Sequence, residues 1–423
     1  MDKQVFEALS AESLPHRLGG NSALREKIGG DVSHWTVKEI GDGNLNLVFI
    51  VTGSKGTAVV KQALPYVRLV GESWPLPLKR SFFEYHALVR QAARAPGMVP
   101  EIFFFDETQA LIVMEYLTPH VILRRALIDG RELPNIGCDL GLFAARTLFR
   151  GSDLSMATRD KKADLALFAD NVELCDITEN LVFSHPYFEA DLNRHTAPQL
   201  DPIVIELRSD RDLKVEAQRL KHLFSAKAET LCHGDLHTGS VMVTDAETRV
   251  IDPEFAFYGP ISFDVGMLLA NFWMSYFSQS GQESTTGARD GMRAYLLETI
   301  ETIWETFRSE FAQLWRTERM GILYQARVFE DRNDPLGAEQ ALNIVIDDIW
   351  REMLGFAGIE IHRRILGLAH NADFETIADP DRRAACESKA LKLGRHLAVN
   401  RHRIHSLRDI RATAERLQKE TLA

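Results

Sequence analysis

His233-Gly234-Asp235 and Asp252-Pro253-Glu254 put two acidic clusters a short way apart in the chain. Between them lie Val241-Met242-Val243, a charged turn over 244–248 and Arg249-Val250-Ile251, which read as the two strands of a hairpin. A hairpin brings its two ends together, so Asp235 and Asp252 are expected to face one space. Two carboxylates in one space suit phosphoryl transfer. One orients or deprotonates an attacking hydroxyl, and the other holds Mg²⁺ against the phosphates. Asp235 is the candidate catalytic group. Asp252 and Glu254 offer the hard oxygens that Mg²⁺ takes.

Such chemistry needs a nucleotide held in place, and the upstream sequence supplies candidates. Val37 to Ile40 reads as a strand leading into Gly41-Asp42-Gly43-Asn44-Leu45-Asn46, and Leu47 to Thr52 as the next strand. Small residues let backbone N–H groups approach phosphate, so Gly41, Gly43 and Asn44 are candidate ATP-binding residues, with Asn46 as a further side-chain donor. Taken alone, Gly41-Asp42-Gly43 reads as a hairpin turn before it reads as a phosphate loop, and it is its place upstream of the acidic hairpin that favours the phosphate reading. Lys61, on the strand Thr57 to Lys61, is placed to reach the α/β-phosphates. It needs an acidic partner. Glu84, on a helix with Leu88 four residues on, is the first candidate and Glu72 the competitor. The segment 65–78, with prolines at 65, 75 and 77, reads as a loop carrying Trp74. Another hairpin, Ile102 to Phe105 with Leu111 to Met114, runs into Glu115-Tyr116-Leu117. That segment resembles the hinge at which kinase folds pair backbone groups with adenine, before Thr118-Pro119 ends the strand.

From Val121 the pattern turns helical. Gly137 to Phe149 has apolar residues at 140, 143, 144 and 148, one buried face. An apolar helix runs from Ile261 to Phe277, followed by a polar loop from Gln279 to Gly287. Asp264 caps that helix or orients the catalytic loop. Asp290 to Trp315 is amphipathic. A further helix runs from Leu336 to Leu354 and continues into a segment holding Arg363-Arg364, which pair with acids or contact substrate. The fold class is therefore α+β, two-lobed and protein-kinase-like. Residues 1–117 form a nucleotide-binding lobe of antiparallel sheet and helix that includes the hinge. Residues 118–423 form a larger, mainly helical lobe for catalysis and substrate binding.

The 423 residues are 45% hydrophobic and 26% charged, ordinary for a globular protein, and the net charge is −11. An acidic chain without basic runs makes a nucleic-acid partner unexpected. The longest apolar stretch, 265–277, is too short to span a bilayer, so no membrane association is expected. The four cysteines show neither a Cys-x-x-Cys pair nor a disulfide framework, and no secretory signal is visible, which together fit a reducing cytoplasm.

With these residues in place, the sequence resembles the aminoglycoside-phosphotransferase and choline-kinase group, and within it the methylthioribose kinase family. The resemblance is carried by Gly41 to Phe49, His233-Gly234-Asp235-Leu236-His237-Thr238-Gly239-Ser240 and Asp252 to Pro260, with Arg363-Arg364 and Gly367-Leu368-Ala369-His370 as a fourth stretch. Ser240 stands where many relatives in the wider group have a metal-binding asparagine, and is carried over as a metal ligand. The resemblance implies transfer of the ATP γ-phosphoryl group, with Mg²⁺, to the 1-hydroxyl of 5-methylthioribose in methionine salvage. It also implies that Asp235 contacts that hydroxyl, that the Trp74 loop closes over the sugar, that Arg363 and Arg364 help hold it, and that the protein is a homodimer. The alternatives are a kinase of the same fold acting on choline, homoserine or an aminoglycoside, and a non-catalytic nucleotide-binding module. The module reading sits poorly with a chain that retains Lys61, Asp235 and Asp252.

Overall fold

The computed structural model of the chain describes residues 6–40, 46–67 and 71–420, by backbone alone at 67 and over 71–74. The candidate phosphate-loop residues Gly41, Gly43 and Asn44 lie outside the described residues. Two short helices, Ser13–Gly19 and Ser22–Ile28, precede a five-stranded antiparallel sheet. The spatial order of the strands is Thr36–Ile40, Asn46–Thr52, Thr57–Ala63, Leu111–Glu115 and Ile102–Asp106. Successive side chains on a strand point to opposite faces. Phe49, Val51, Ala58, Val60, Leu111 and Val113 therefore share one face, buried against Leu14, Leu18, Leu24, Ile28 and Trp35. Lys61 follows Val60 and turns to the other face, where the helix Arg80–Arg94 supplies Glu84.

The proline-rich segment is a small hairpin and not a loop. Tyr66–Val67 pairs with Gly71–Pro75, with a register shift. Pro75 sits at the end of its strand, a position proline tolerates because it needs no ladder N–H there. Trp74 enters the description only through its backbone in this strand.

The remainder is mostly helical. Ile136–Arg150 lies along Asp290–Glu318, and Ile261–Gln282 along Pro335–Leu366 and Pro380–Asn400. Where Pro335–Leu366 crosses Pro380–Asn400, a Cβ on Gly358 would lie 2.3 Å from the Gly394 carbonyl oxygen. The two backbones are that close only because both residues are glycine. The large core reaches back into the first lobe through Leu88, Ala95 and Val99. The helix begun at Ile261 runs on to Gln282, past the expected end at Phe277. Ser278 and Gln279 are polar yet fully buried, because their side chains bond main-chain carbonyls of this helix, Ser275 in both cases. Polar composition there marks a satisfied buried turn of helix and not a loop.

The acidic hairpin forms as expected, with its second strand one residue early. Val241–Val243 pairs with Thr248–Val250, and Val121–Ile122 adds a third strand where the sequence pattern suggests only helix. A second ladder, Thr230–Cys232 with Phe257–Gly259, closes the outer ends of both acidic segments. The two ladders together fix Asp235 and Asp252 on the same rim.

Candidate active site

The catalytic turn is set by backbone demands. Gly234 has φ +88°, and a Cβ there would fall 2.0 Å from the Phe255 carbonyl oxygen. No L side chain fits, and the two acidic motifs touch through this contact. Asp264, in the first turn of its helix, accepts from the backbone N–H groups of His233 at 2.6 Å and Gly234 at 3.0 Å. Burial pushes its pKa up against the pull of His233 and these N–H groups. It makes no side-chain cap for its own helix, so its work is to orient the loop. On the other side, the buried Asn171 amide donates to the carbonyls of Glu254 and Ala256, both at 3.0 Å. Asp252 itself adopts φ +69°, a left-handed backbone that Asp tolerates better than most residues.

Lys61 pairs with Glu84 at 2.8 Å and with Asp252, so Glu84 is established as a partner. Both acids push the lysine pKa up against the cost of burial. Arg80, absent from the sequence expectations, is fully buried and lies 3.3 Å from Glu254. Asn46 bridges the two, donating to Glu254 at 3.2 Å and accepting from Arg80 at 3.0 Å. Carboxylate oxygens of Glu84, Asp252 and Glu254 all lie within 4.8 Å of one another. Burial, then repulsion among these acids, raises the pKa of Glu254 and takes that of Glu84 to about 8, with Lys61 opposing. Hard oxygens held together at such a cost fit a hard divalent cation such as Mg²⁺. The Ser240 hydroxyl lies 3.1 Å from the Asp235 carbonyl oxygen and 3.2 Å from His237 Nδ1. In the hinge, Glu115 gives its N–H to the Glu101 carbonyl, Leu117 is buried, and Tyr116 is half-buried.

Asp235 faces a second cluster. Its Oδ1 accepts from Arg363 at 3.2 Å and Arg364 at 3.0 Å, while Oδ2 lies 3.2 Å from His237 Nε2. Gly239 donates its N–H to His237 Nδ1 at 2.9 Å. That assigns the ring proton to Nε2, which therefore donates to Asp235. Burial, helped by Arg364 and Arg124, takes the His237 pKa down to about 4, so the ring is neutral at neutral pH. Burial raises the Asp235 pKa, but His237, Arg364 and Arg363 outweigh it and hold the group well below the ordinary carboxylate range. With His237 neutral, its N–H hydrogen bond and the two arginines carry that effect. Behind them the fully buried Glu360 accepts from Arg364 Nε at 2.6 Å and forms an ion pair with Arg363, 3.1 Å from its Nε. Asn271 links Glu360 to Arg124, which lies 3.2 Å from the buried Asp373.

The structure thus joins Lys61, Glu84, Asp252 and Glu254 in one cluster, and Asp235, Arg363 and Arg364 in another. The sequence reading missed Arg80, Arg124, His237, Asn271, Glu360 and Asp373. Glu360 carried a usable signal, three and four residues before the two arginines on one helix. Arg124 and Asp373 carried none, being far apart in sequence.

An antiparallel lobe presenting a lysine–glutamate pair, facing a helical lobe that presents Asp235 and the two carboxylates Asp252 and Glu254, defines a kinase-type phosphotransferase. Residues 36–316 match the phosphotransferase enzyme family. Over 411 residues the chain is 41% identical to the methylthioribose kinase of Escherichia coli O45:K1 (strain S88 / ExPEC), covering 97% of this chain and 98% of that one. It is also 41% identical over 407 residues to methylthioribose kinase 1 of Oryza sativa subsp. japonica, with 96% and 94% covered. The chain belongs to the methylthioribose kinase family of these phosphotransferases. Among solved structures, a glucosamine kinase in complex with glucosamine, ADP and inorganic phosphate aligns with a TM-score of 0.43 at 16% identity over 83% of both chains.

Proposed function

We propose that the protein transfers the γ-phosphoryl group of ATP to the 1-hydroxyl of 5-methylthioribose. The observation that carries this reading is the pair of arginines on Asp235. A cationic acceptor such as choline or an aminoglycoside calls for an acid-rich or aromatic pocket. Here the attacking hydroxyl would meet one carboxylate already matched by two guanidiniums. That environment suits a neutral polyhydroxyl sugar, whose oxygens accept from the planar N–H fork.

Phosphoryl transfer passes through a loose transition state, so placement and charge neutralisation dominate. Asp235, whose pKa is held low, is a weak base. It orients the anomeric hydroxyl by accepting its proton in a hydrogen bond. Arg363 and Arg364 fix the carboxylate and offset charge on the transferred group. Lys61, steadied by Glu84, turns to the α/β-phosphates. Asp252 and Glu254 would hold Mg²⁺, which neutralises phosphate charge when bound, and Ser240 is carried with them from the family resemblance. Gly41, Gly43 and Asn44 cover the phosphates, the segment Glu115-Tyr116-Leu117 meets adenine, Pro253 shapes the acidic turn, and the Trp74 strand lies over the sugar. In this reading residues 1–117 bind nucleotide and 118–423 bind the acceptor. Four free cysteines, Cys138 exposed among them, suit a reducing cytoplasm. The homodimer rests on the family resemblance and is checked by light scattering.

The test is ATP consumption by purified protein with Mg²⁺ against methylthioribose, ribose, choline, homoserine and kanamycin. Strong turnover with methylthioribose alone is expected. Turnover with choline or kanamycin in its place would transfer the function to a cationic acceptor.

A further inference from the structure

Arg124 sits in the first turn of the short helix Leu123–Ile128, with its side chain only 14% exposed. An arginine taken this far out of water is tolerated only where partners meet its N–H fork. Its Nε lies 3.1 Å from Thr238 Oγ1 and 3.2 Å from the buried Asp373, and its Nη2 donates to Asn271 Oδ1 at 2.8 Å. These partners stand on three other elements: the turn Thr238–Ser240, the helix Ile261–Gln282 and the short helix Ala372–Glu375.

The contacts continue on both sides. Arginine can only donate, so Asn271 must turn Oδ1 to Arg124 and its amide N–H groups the other way. They meet the Met267 carbonyl at 2.9 Å and the buried Glu360 at 3.4 Å. Glu360 accepts from Arg364, and Arg364 donates to Asp235. On the other side the fully buried Thr238 follows Asp235 by three residues. The path Asp235, Arg364, Glu360, Asn271, Arg124, Thr238 therefore closes on itself. A Cβ on Gly239 would lie 3.0 Å from Arg124 Nη1 and 2.7 Å from the ring of His237, the ring that donates to Asp235. Among the described residues Asp235 itself pairs with His237, Arg363 and Arg364 and not with Arg124. What Arg124 contributes reaches the carboxylate through the turn and through Arg364.

We propose that Arg124 is a positioning residue for the transfer, holding the turn that carries Asp235 in register with the helix whose arginines grip its carboxylate. The proposal rests on the phosphotransfer reading above. The turn sets where the Asp235 side chain starts, and Arg364, on the helix Pro335–Leu366, sets where its Oδ1 ends. The two agree only if the elements bearing them are fixed to each other, and Arg124 joins them by hydrogen bonds of its own. An error of about 1 Å in such a placement costs roughly a hundredfold in rate.

The experiment measures kcat and KM with MgATP and 5-methylthioribose for wild type, Arg124→Met, Arg124→Lys and Thr238→Val, with active sites counted by nucleotide-binding stoichiometry. The three substitutions are then repeated on Asp235→Asn. Per active site, Arg124→Met is expected to lower kcat roughly a hundredfold while the KM for ATP stays where it was. Arg124→Lys keeps the charge and loses the fork, and is expected to recover only part of that. Thr238→Val cuts one branch and leaves the charge, at a cost of roughly tenfold. On Asp235→Asn each substitution is expected to cost at most roughly threefold more, because the group it positions is already gone. A full penalty on Asp235→Asn would overturn the proposal, since Arg124 would then touch the reactants itself or merely hold the fold. Full rescue by lysine would overturn it too, because charge alone would suffice. If Arg124→Met does not fold, Arg124→Lys and Thr238→Val carry the same comparison. Variants that all match a working wild type would overturn the proposal and leave the function standing. A wild type that consumes no ATP with any acceptor of the panel would remove the phosphotransfer reading and this proposal with it.

Discussion

Around Asp235 three carboxylates, Asp235, Glu360 and Asp373, face three guanidiniums, Arg363, Arg364 and Arg124. Around Lys61 three carboxylates, Glu84, Asp252 and Glu254, face two described cations, Lys61 and Arg80. The first cluster is balanced, and its Asp235 carboxyl has a lowered pKa. The second is acid-heavy, and its buried carboxyls have raised ones. The difference matches what the proposed function asks of each side. A neutral sugar would meet a cradle whose charges already cancel, and a nucleotide that brings a cation would meet one rich in carboxylates.

That contrast can be broken in four places. The largest effect is expected from Glu360→Ala, which takes the fully buried counter-charge from the buried Arg364 and the partly buried Arg363. Breaking such a pair costs about 3–5 kcal/mol, read as a drop in the denaturant midpoint. A near-native midpoint would show that the arginines are satisfied without Glu360 and that the acceptor cluster is not a balanced unit. Next, Asp235→Asn removes the hydroxyl's acceptor while leaving the shape. A fall in kcat of roughly 10² or more is expected, and a kcat near wild type would exclude Asp235 from the chemistry. Asp252→Asn should raise the Mg²⁺ concentration needed for half-maximal rate. An unmoved Mg²⁺ titration would place the cation elsewhere.

The last effect is a pH drift, spread over several units and so the most gradual. Glu84 has a folded pKa of about 8 against an ordinary 4.5, so the folded state holds its proton more tightly than the unfolded state. Its contribution to stability is complete below the unfolded pKa and is lost as pH rises through the folded one. The stability of the ligand-free protein should therefore decline from about pH 5 to about pH 8, by at most about 1.4 kcal/mol of unfolding free energy per pH unit, followed through the thermal midpoint. Glu84→Gln should flatten that slope. A slope that survives the substitution would assign the drift to another group.

The sequence made the nucleotide side largely legible. A lysine on a strand, an acid on the next helix and a hairpin ending in two acids are local patterns, and each is a physical instruction a short window can hold. Even there the Arg80–Glu254 pair stayed hidden, since a buried arginine in the first turn of a helix reads as a surface charge. The acceptor side was half legible. Arg363-Arg364 stood out as charges in an apolar helix, but Arg124 and Asp373 meet only because separate helices pack. His237 showed its place beside Asp235 without showing its tautomer, which the Gly239 N–H decides. The extension of the apolar helix to Gln282 was missed because a residue's polarity says nothing of whether a backbone carbonyl awaits it.

Gly234 has one more consequence. With Phe255's carbonyl 2.0 Å from where its Cβ would stand, no side chain can be admitted at 234 unless the backbone of the second motif retreats. A lineage drifting one substitution at a time meets a wall at this position, and the retreat that would open it displaces Asp252 and Glu254 as well. The two motifs therefore answer to one steric constraint: a change at 234 is felt at Asp252 and Glu254, whereas no such contact ties the turn over 244–248 to Gly234.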